Sequence, residues 1–245
     1  MFSFSNNIMK DDNINEILSE IPDKSERLVV FDTETTGLNP LYNNIIEIGA
    51  IEILNGRITG NQFHIFLEPR YKIEKGAQKV HHYTQYDYNH YYQNVYPNAK
   101  KSLFSFLQFI GGSIVIAHNA KFDIDFINSE LIHWNLPTIP LTQFRCSMIL
   151  FKNIVMPHTY KQHYSLIACC NHFNLGYKED NFHSALFDAF MTARMVLSLY
   201  DYISYLENAG IELIHKSNDN SSTASVTKND NEIDDIDINN LLQYF

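Results

Sequence analysis

The sequence predicts an α/β fold built on a mixed five-stranded sheet: three hairpin-joined strands, then parallel strands, with helices on both faces. Three observations predict it. Two β-branched runs, Arg27 to Glu34 and Ile45 to Leu54, read as buried strands. Asn55-Gly56, the strongest short hairpin signal, turns the second run into a third, Arg57 to Leu67. Beyond that point helical and strand-like segments alternate, the pattern of parallel strands joined by crossovers.

Each later element has its own signal. Asn98 to Ile110 is an amphipathic helix, with Leu103, Phe106, Leu107 and Ile110 at helical spacing and Gly111-Gly112 as its stop. Ser113 to His118 is a short buried strand. Lys121 to Trp134 is a helix with Phe122, Phe126, Ile127 and Leu131 on one face. A fifth strand is expected over Gln143 to Met148, and helices over Tyr164–Phe173 and Ala185–Asn208. No internal repeat is visible, so residues 27–210 read as one domain. Residues 1–26 form an N-terminal extension in which Asp11 to Ile21 suits a short helix. Ser217 to Asn231 is polar and of low complexity and cannot order itself by burying apolar surface. Residues 216–245 therefore read as a flexible acidic tail with an apolar end.

The chain has 245 residues and a formal net charge of −10. Such acidity argues against a nucleic-acid substrate until its distribution is examined. Residues 1–26 hold two basic and six acidic groups, and so do residues 216–245, which leaves the middle of the chain at a net −2. The acidity belongs mostly to the tails. No apolar run is long enough for a membrane span, and Met1 to Lys10 lacks the apolar stretch of a secretory leader, so a cytoplasmic protein is expected. The three cysteines, Cys146, Cys169 and Cys170, form no paired framework, which suits a reducing compartment. Cys169, Cys170 and His172 lack metal-site spacing and read as a buried helical segment.

Three clusters carry the chemistry. Asp32 and Glu34 stand two apart on a strand, so their side chains share a face. Two neighbouring carboxylates repel, and a divalent cation between them removes that cost; hard oxygen ligands suit Mg²⁺ or Mn²⁺. Alone, the pair also fits a solvated strand end. Asp123 lies just inside a helix start, where an acidic residue is an ordinary favourable contact with the helix dipole. His183 and Asp188 lie five apart. On one helix they would diverge by about 140°, so His183 must precede the helix and Asp188 sit inside it, with Ser184 as a suitable N-cap.

Taken together, FDTETTGL, AHNAKFD and HSALFDA occur in the order of the three motifs of the DEDDh 3′→5′ exonucleases, and the chain resembles that family of the RNase H-like superfamily over residues 27–205. The hairpin stretch IIEIGAIEILNGRITGNQFHIFLEP and Val80-His81 are most similar to the branch that proofreads for bacterial replicative polymerases. The resemblance implies an RNase H-like sheet and hydrolysis at a DNA 3′ end with two divalent cations. It places Asp32, Glu34 and Asp188 on the first metal, Asp32 as a bridge to the second, and Asp123 in support of the second. His183 would be the general base, and metal cations nearby would lower its pKa. Glu34, Gly37, Leu38, His81 and Asn119 match positions at the terminal nucleotide. Implied partners are the single-stranded DNA 3′ end, the polymerase catalytic subunit and, through the tail, the sliding clamp.

The chain departs from the family at His82, where Gly is usual, and at Gly76, where an acidic residue is common. Other features stay open. Six tyrosines between Tyr83 and Tyr96 suit base stacking or a half-buried surface. Lys121 and Lys100-Lys101 suit phosphate contacts or a solvated face. His64 reads as structural, and His158 with His163 as a weak metal pair. The alternative functions are a free-standing exonuclease that trims RNA or repair intermediates, and an interaction module that has kept the fold.

Overall fold

The computed structural model of the chain describes residues 20–87, 98–155, 164–177 and 183–209. Its sheet has the order β3-β2-β1-β4-β5. The strands are β1 (Leu28–Thr35), β2 (Ile45–Leu54), β3 (Arg57–Phe66), β4 (Ile114–Ala117) and β5 (Phe144–Cys146). β1 to β3 are antiparallel neighbours, while β4 runs parallel to β1 and β5 parallel to β4. The β2–β3 turn has Asn55 at φ 50° and Gly56 at φ 67°, as a hairpin of matching twist requires.

Strand alternation divides β1 between two cores. Val29 and Phe31 face one layer, where α2 (Ala99–Ile110) and α3 (Ala120–His133) supply Leu103, Phe106, Ile110, Ile124, Phe126, Ile127 and Leu131. Leu28 and Val30 face the other, covered by α6 (Ala185–Asn208) through Ala189, Ala193, Val196 and Tyr200. On its far side α6 packs against α4 (Ser147–Ile154) and α5 (Leu166–His172) through Met191, Met195 and Leu199. Cys169 and Cys170 are buried in that cluster, which pushes both thiols up to about 12.

Two helices were not expected from the sequence. The strand foreseen at Gln143–Met148 ends at Cys146, and the apolar residues after it, Leu150, Phe151 and Ile154, are the buried side of α4. A short apolar run cannot by itself be told from a strand. α1 (Lys75–His81), followed by one helical turn at Gln85–Asp87, has too few residues to show a period. Residues 20–22 lie against the domain: Glu20 pairs with the buried Arg145, Ile21 contacts the α6 cores, and the Pro22 carbonyl accepts from Tyr200. Most of the expected helix at Asp11–Ile21, the tyrosines from Tyr88 to Tyr96, His158, His163 and the tail 216–245 lie outside the described residues. Among the described residues, no helix is long and apolar enough to cross a membrane.

Candidate active site

The parity that sends Leu28 and Val30 towards α6 sends Asp32 and Glu34 the same way. In the β1–β2 register Asp32 stands opposite Gly49 and Glu34 opposite Glu47. Gly49 permits α6 to sit directly on the strand. A Cβ there would lie 2.1 Å from the Leu186 backbone nitrogen and 2.4 Å from the Ala185 carbonyl carbon. This close approach carries Asp188, in the first turn of α6, over the carboxylates of β1. One oxygen each from Asp32, Glu34 and Asp188 then lies within 4.8 Å of the others.

Asp123 comes from the opposite layer. Its helix, α3, covers the face of Val29 and Phe31, and Thr33, which shares that face, donates its hydroxyl to Asp123 Oδ1 at 2.7 Å. The structure therefore groups three of the four expected ligands and brings the fourth around the end of β1. Asp123 is still close: its charge is the strongest of the carboxylate charges acting on Asp32.

The electrostatics follow from burial and crowding. Burial, then the charges of Asp123, Glu34, Asp188 and Glu47, hold the Asp32 carboxyl well above the usual range. Burial and then Glu47, Asp188 and Asp123 do the same to Glu34. Burial pushes Asp123 up to about 7, against the opposing hydrogen bond from Thr33. Crowded carboxylates that resist ionisation, as Asp32, Glu34 and Asp123 do, have the character of a cation site, and their hard oxygen donors fit a divalent metal.

His183 precedes α6, as its separation from Asp188 requires. Its Nδ1–H donates to Asp188 Oδ2 at 2.8 Å. That bond raises the imidazole pKa against the opposing effect of burial. Tyr177 donates its hydroxyl to the other oxygen, Asp188 Oδ1, and its ring stands edge-on to that of His183. Ser184 occupies the N-cap position of α6 but makes no side-chain cap; its hydroxyl donates to Glu47 Oε1 at 2.9 Å.

The residues expected at the terminal nucleotide fall into two groups. Leu38 is 80% exposed beside the site, and Asn119 is exposed at the start of α3 with φ 56°. Gly37 and His81 are buried and shape the end of β1. The Gly37 carbonyl accepts from Thr35 Oγ1, and a Cβ on Gly37 would meet Asn43 and Glu74. His81 accepts the Tyr83 N–H on Nδ1, which leaves Nε2–H to donate to the Thr35 carbonyl at 3.2 Å. Burial lowers its pKa, in keeping with this neutral tautomer. His118, the first residue of the second motif's HNAKFD segment, is tied to Ser147 and the Tyr164 carbonyl, and burial pushes its pKa down to about 4.

Sequence reasoning missed Thr33, Glu47, Gly49 and Tyr177. Glu47 had a visible signal, since a charge inside the run IIEIGAIEIL must find a partner once buried. Tyr177 had none.

Residues 29–196 match the family model described as exonuclease, a span that holds every site residue above. The chain belongs to the exonuclease family. Within it, the chain is similar to DNA polymerase III epsilon subunits. That of Buchnera aphidicola subsp. Acyrthosiphon pisum is 37% identical over 177 residues, covering 70% of this chain and 72% of the relative. That of Rickettsia prowazekii is 34% identical over 179 residues, covering 71% and 74%. Two solved structures share the fold. Exonuclease X in complex with 5′-overhanging duplex DNA matches with a TM-score of 0.51 at 23% identity, over 76% of this chain and 94% of that one. E. coli Exonuclease I in complex with a dT13 oligonucleotide matches at 0.61 and 14% identity, over 75% and 43%. The fold is RNase H-like, and the chain is a 3′→5′ exonuclease of the epsilon-subunit type, a divalent-metal-dependent family.

Proposed function

We propose that the chain removes nucleotides from DNA 3′ ends with two divalent ions, Mg²⁺ or Mn²⁺, as the proofreading subunit of a replicative polymerase. The observation that supports this most is the convergence of Asp32 and Glu34 from β1, Asp188 from α6 and Asp123 from α3 around one strand end. Asp32, Glu34 and Asp188 would hold the first ion, and Asp123, with Asp32 as bridge, the second. Bound there, the ions would supply an acidified water and charge relief at the leaving 3′-oxygen.

The protein's own part is positioning and proton transfer. With Nδ1–H fixed on Asp188, Nε2 of His183 is the nitrogen left to take a proton from the attacking water. Asp188 thus orients the base while serving the metal, and a divalent charge on that carboxylate opposes the rise in imidazole pKa that the bare carboxylate causes. Leu38 and Asn119, both exposed at the rim, are placed to meet the terminal nucleotide, while Glu34, Gly37 and His81 form the floor beneath it. The catalytic domain spans residues 27–210, and the tail 216–245 tethers it to its partners, the polymerase catalytic subunit and the sliding clamp, in the cytoplasm.

The test is a 5′-labelled single strand, as DNA and as RNA, incubated with Mg²⁺ or Mn²⁺. Shortening from the 3′ end with preference for DNA is expected. His183→Ala should slow single-turnover cleavage by about 10²–10⁴-fold while calorimetry shows metal binding retained. Lost metal affinity with chemistry intact would move His183 into the metal shell.

A further inference from the structure

We infer that Glu47 is a positioning residue for catalysis, acting through the hydroxyl of Ser184 to hold the turn that carries His183; this rests on the reading of His183 as general base. Glu47 is fully buried on β2, directly opposite Glu34. A carboxylate in that place adds to the repulsion within the site, so its presence calls for a reason. Its Oε1 accepts from two elements at once, His64 of β3 at 2.7 Å and Ser184 at 2.9 Å. The register that puts His64 opposite Gly49 sets the imidazole beside Glu47 and fixes that oxygen from the edge of the sheet.

Ser184 shows what the bond is for. Serine at an N-cap ordinarily turns its oxygen onto the helix amides. Here the hydroxyl leaves the helix uncapped and reaches across to the sheet. Its own carbonyl accepts from the Asp188 N–H at 2.9 Å, so the residue joins the sheet to the first turn of α6. Asp188 has other anchors, namely the helix seated on Gly49 and the Tyr177 hydroxyl. His183 lies outside the helix, and its main chain is held from the C-terminal side by Ser184. Loss of the tie therefore frees the base before it frees the metal ligand. The Asp188 bond fixes one ring nitrogen, but the direction of the other depends on where the backbone stands.

The test is a double-mutant cycle on the full chain with Mg²⁺ and a labelled single strand. Ser184→Ala should slow single-turnover cleavage by about tenfold, since small displacements of a catalytic group carry large rate penalties. Metal affinity by calorimetry and the urea midpoint should hold. Ser184→Thr, which keeps the hydroxyl, should restore the rate to within threefold. In a His183→Ala background Ser184→Ala should add nothing, because the tie then has no base to position. An equal loss in both backgrounds, or a folded Ser184→Ala protein within twofold of wild type, overturns the proposal. A His183→Ala protein that cleaves at the wild-type rate is a different failure: it removes the general base, and the proposal with it, before Ser184 is changed.

Discussion

Gly49→Ala probes the close approach that builds the site. The added Cβ would lie 2.1 Å from the Leu186 nitrogen, 2.2 Å from its Cα and 2.4 Å from the Ala185 carbonyl carbon, whereas ordinary contact begins at 3.4 Å. All three atoms are backbone, so no rotamer change relieves the clash. Either the N-terminus of α6 retreats by about 1 Å or β2 bows by as much, at a cost of about 1–3 kcal/mol for overpacking. The stiffening of the unfolded chain on replacing Gly with Ala returns only about 0.4–1 kcal/mol, so the net change is destabilising. Asp188 moves with α6, away from Asp32 and Glu34, and a shift of that size at catalytic groups costs about 100-fold in rate. Urea unfolding and single-turnover cleavage measure the two effects separately. Gly76→Ala is the control: nothing lies within 4 Å of its added Cβ, and at the start of α1 it should be neutral or gain up to about 1 kcal/mol. A Gly49→Ala protein with wild-type stability and cleavage within threefold would refute the idea that this contact sets the geometry.

Asp32→Asn should abolish cleavage yet stabilise the protein in EDTA, by removing one charge from a repelling group; a destabilised variant would count against the repulsion. The pH dependence has a definite sign. Asp32, Glu34 and Asp123 all have raised pKa values in the folded chain, Asp123 up to about 7. From about pH 4 upwards the folded state thus binds more protons than the unfolded one, and these groups lower stability as pH rises to 7 and beyond. In EDTA the advantage of Asp32→Asn over wild type should grow from pH 5 to pH 8, and Mg²⁺ should remove most of the wild-type deficit. Arg70→Ala should cost about 3–5 kcal/mol in urea unfolding, because it leaves Glu130, buried and held by two Arg70 bonds of 2.7 and 2.8 Å, without its counter-charge; a loss below about 1 kcal/mol would mean the pair is dispensable. Truncation after His215 should leave cleavage of single-stranded DNA within a few-fold of full length and weaken co-purification with the polymerase or clamp; loss of the nuclease itself would make the tail part of the domain.

What could be read from the sequence depended on how local the determining physics is. β2 was legible to its end residues because an isoleucine-rich run stops at an Asn-Gly turn. α6 was legible because Ser184 precedes a long apolar helix. The pairing of Asp32 with Glu34 followed from strand parity, and the placement of His183 outside the helix from helical geometry. Other features depend on contacts between elements. Ser184 occupies the N-cap position, as expected, but the nearby Glu47 takes its hydroxyl. His82 makes sense of the family's preference for Gly, since it ends α1 in the left-handed region at φ 61°. Tyr177 and Thr33 could not be found from spacing at all, because each meets its carboxylate only after two elements have docked.

The two-layer arrangement also explains why the carboxylates can stand so close without being drawn from one element. Asp32 and Glu34 are fixed by the strand, and their separation cannot vary much while β1 is paired with β2 along this stretch. Asp188 rides on α6 against one face and Asp123 on α3 against the other, each with its own core. The repulsion that adds to burial at Asp32 and Glu34 acts in part between layers, and it is resisted by packing remote from the site: the Phe31, Phe106 and Phe126 cluster on one face, and the small Ala189 and Ala193 of α6 on the other. A cation held by these carboxylates, as proposed above, would reverse the sign of that force and would draw α3 and α6 towards the same strand end. The metal is thus expected to add cohesion between layers as well as chemistry, which is why EDTA should weaken the protein most at the pH where the carboxylates are charged.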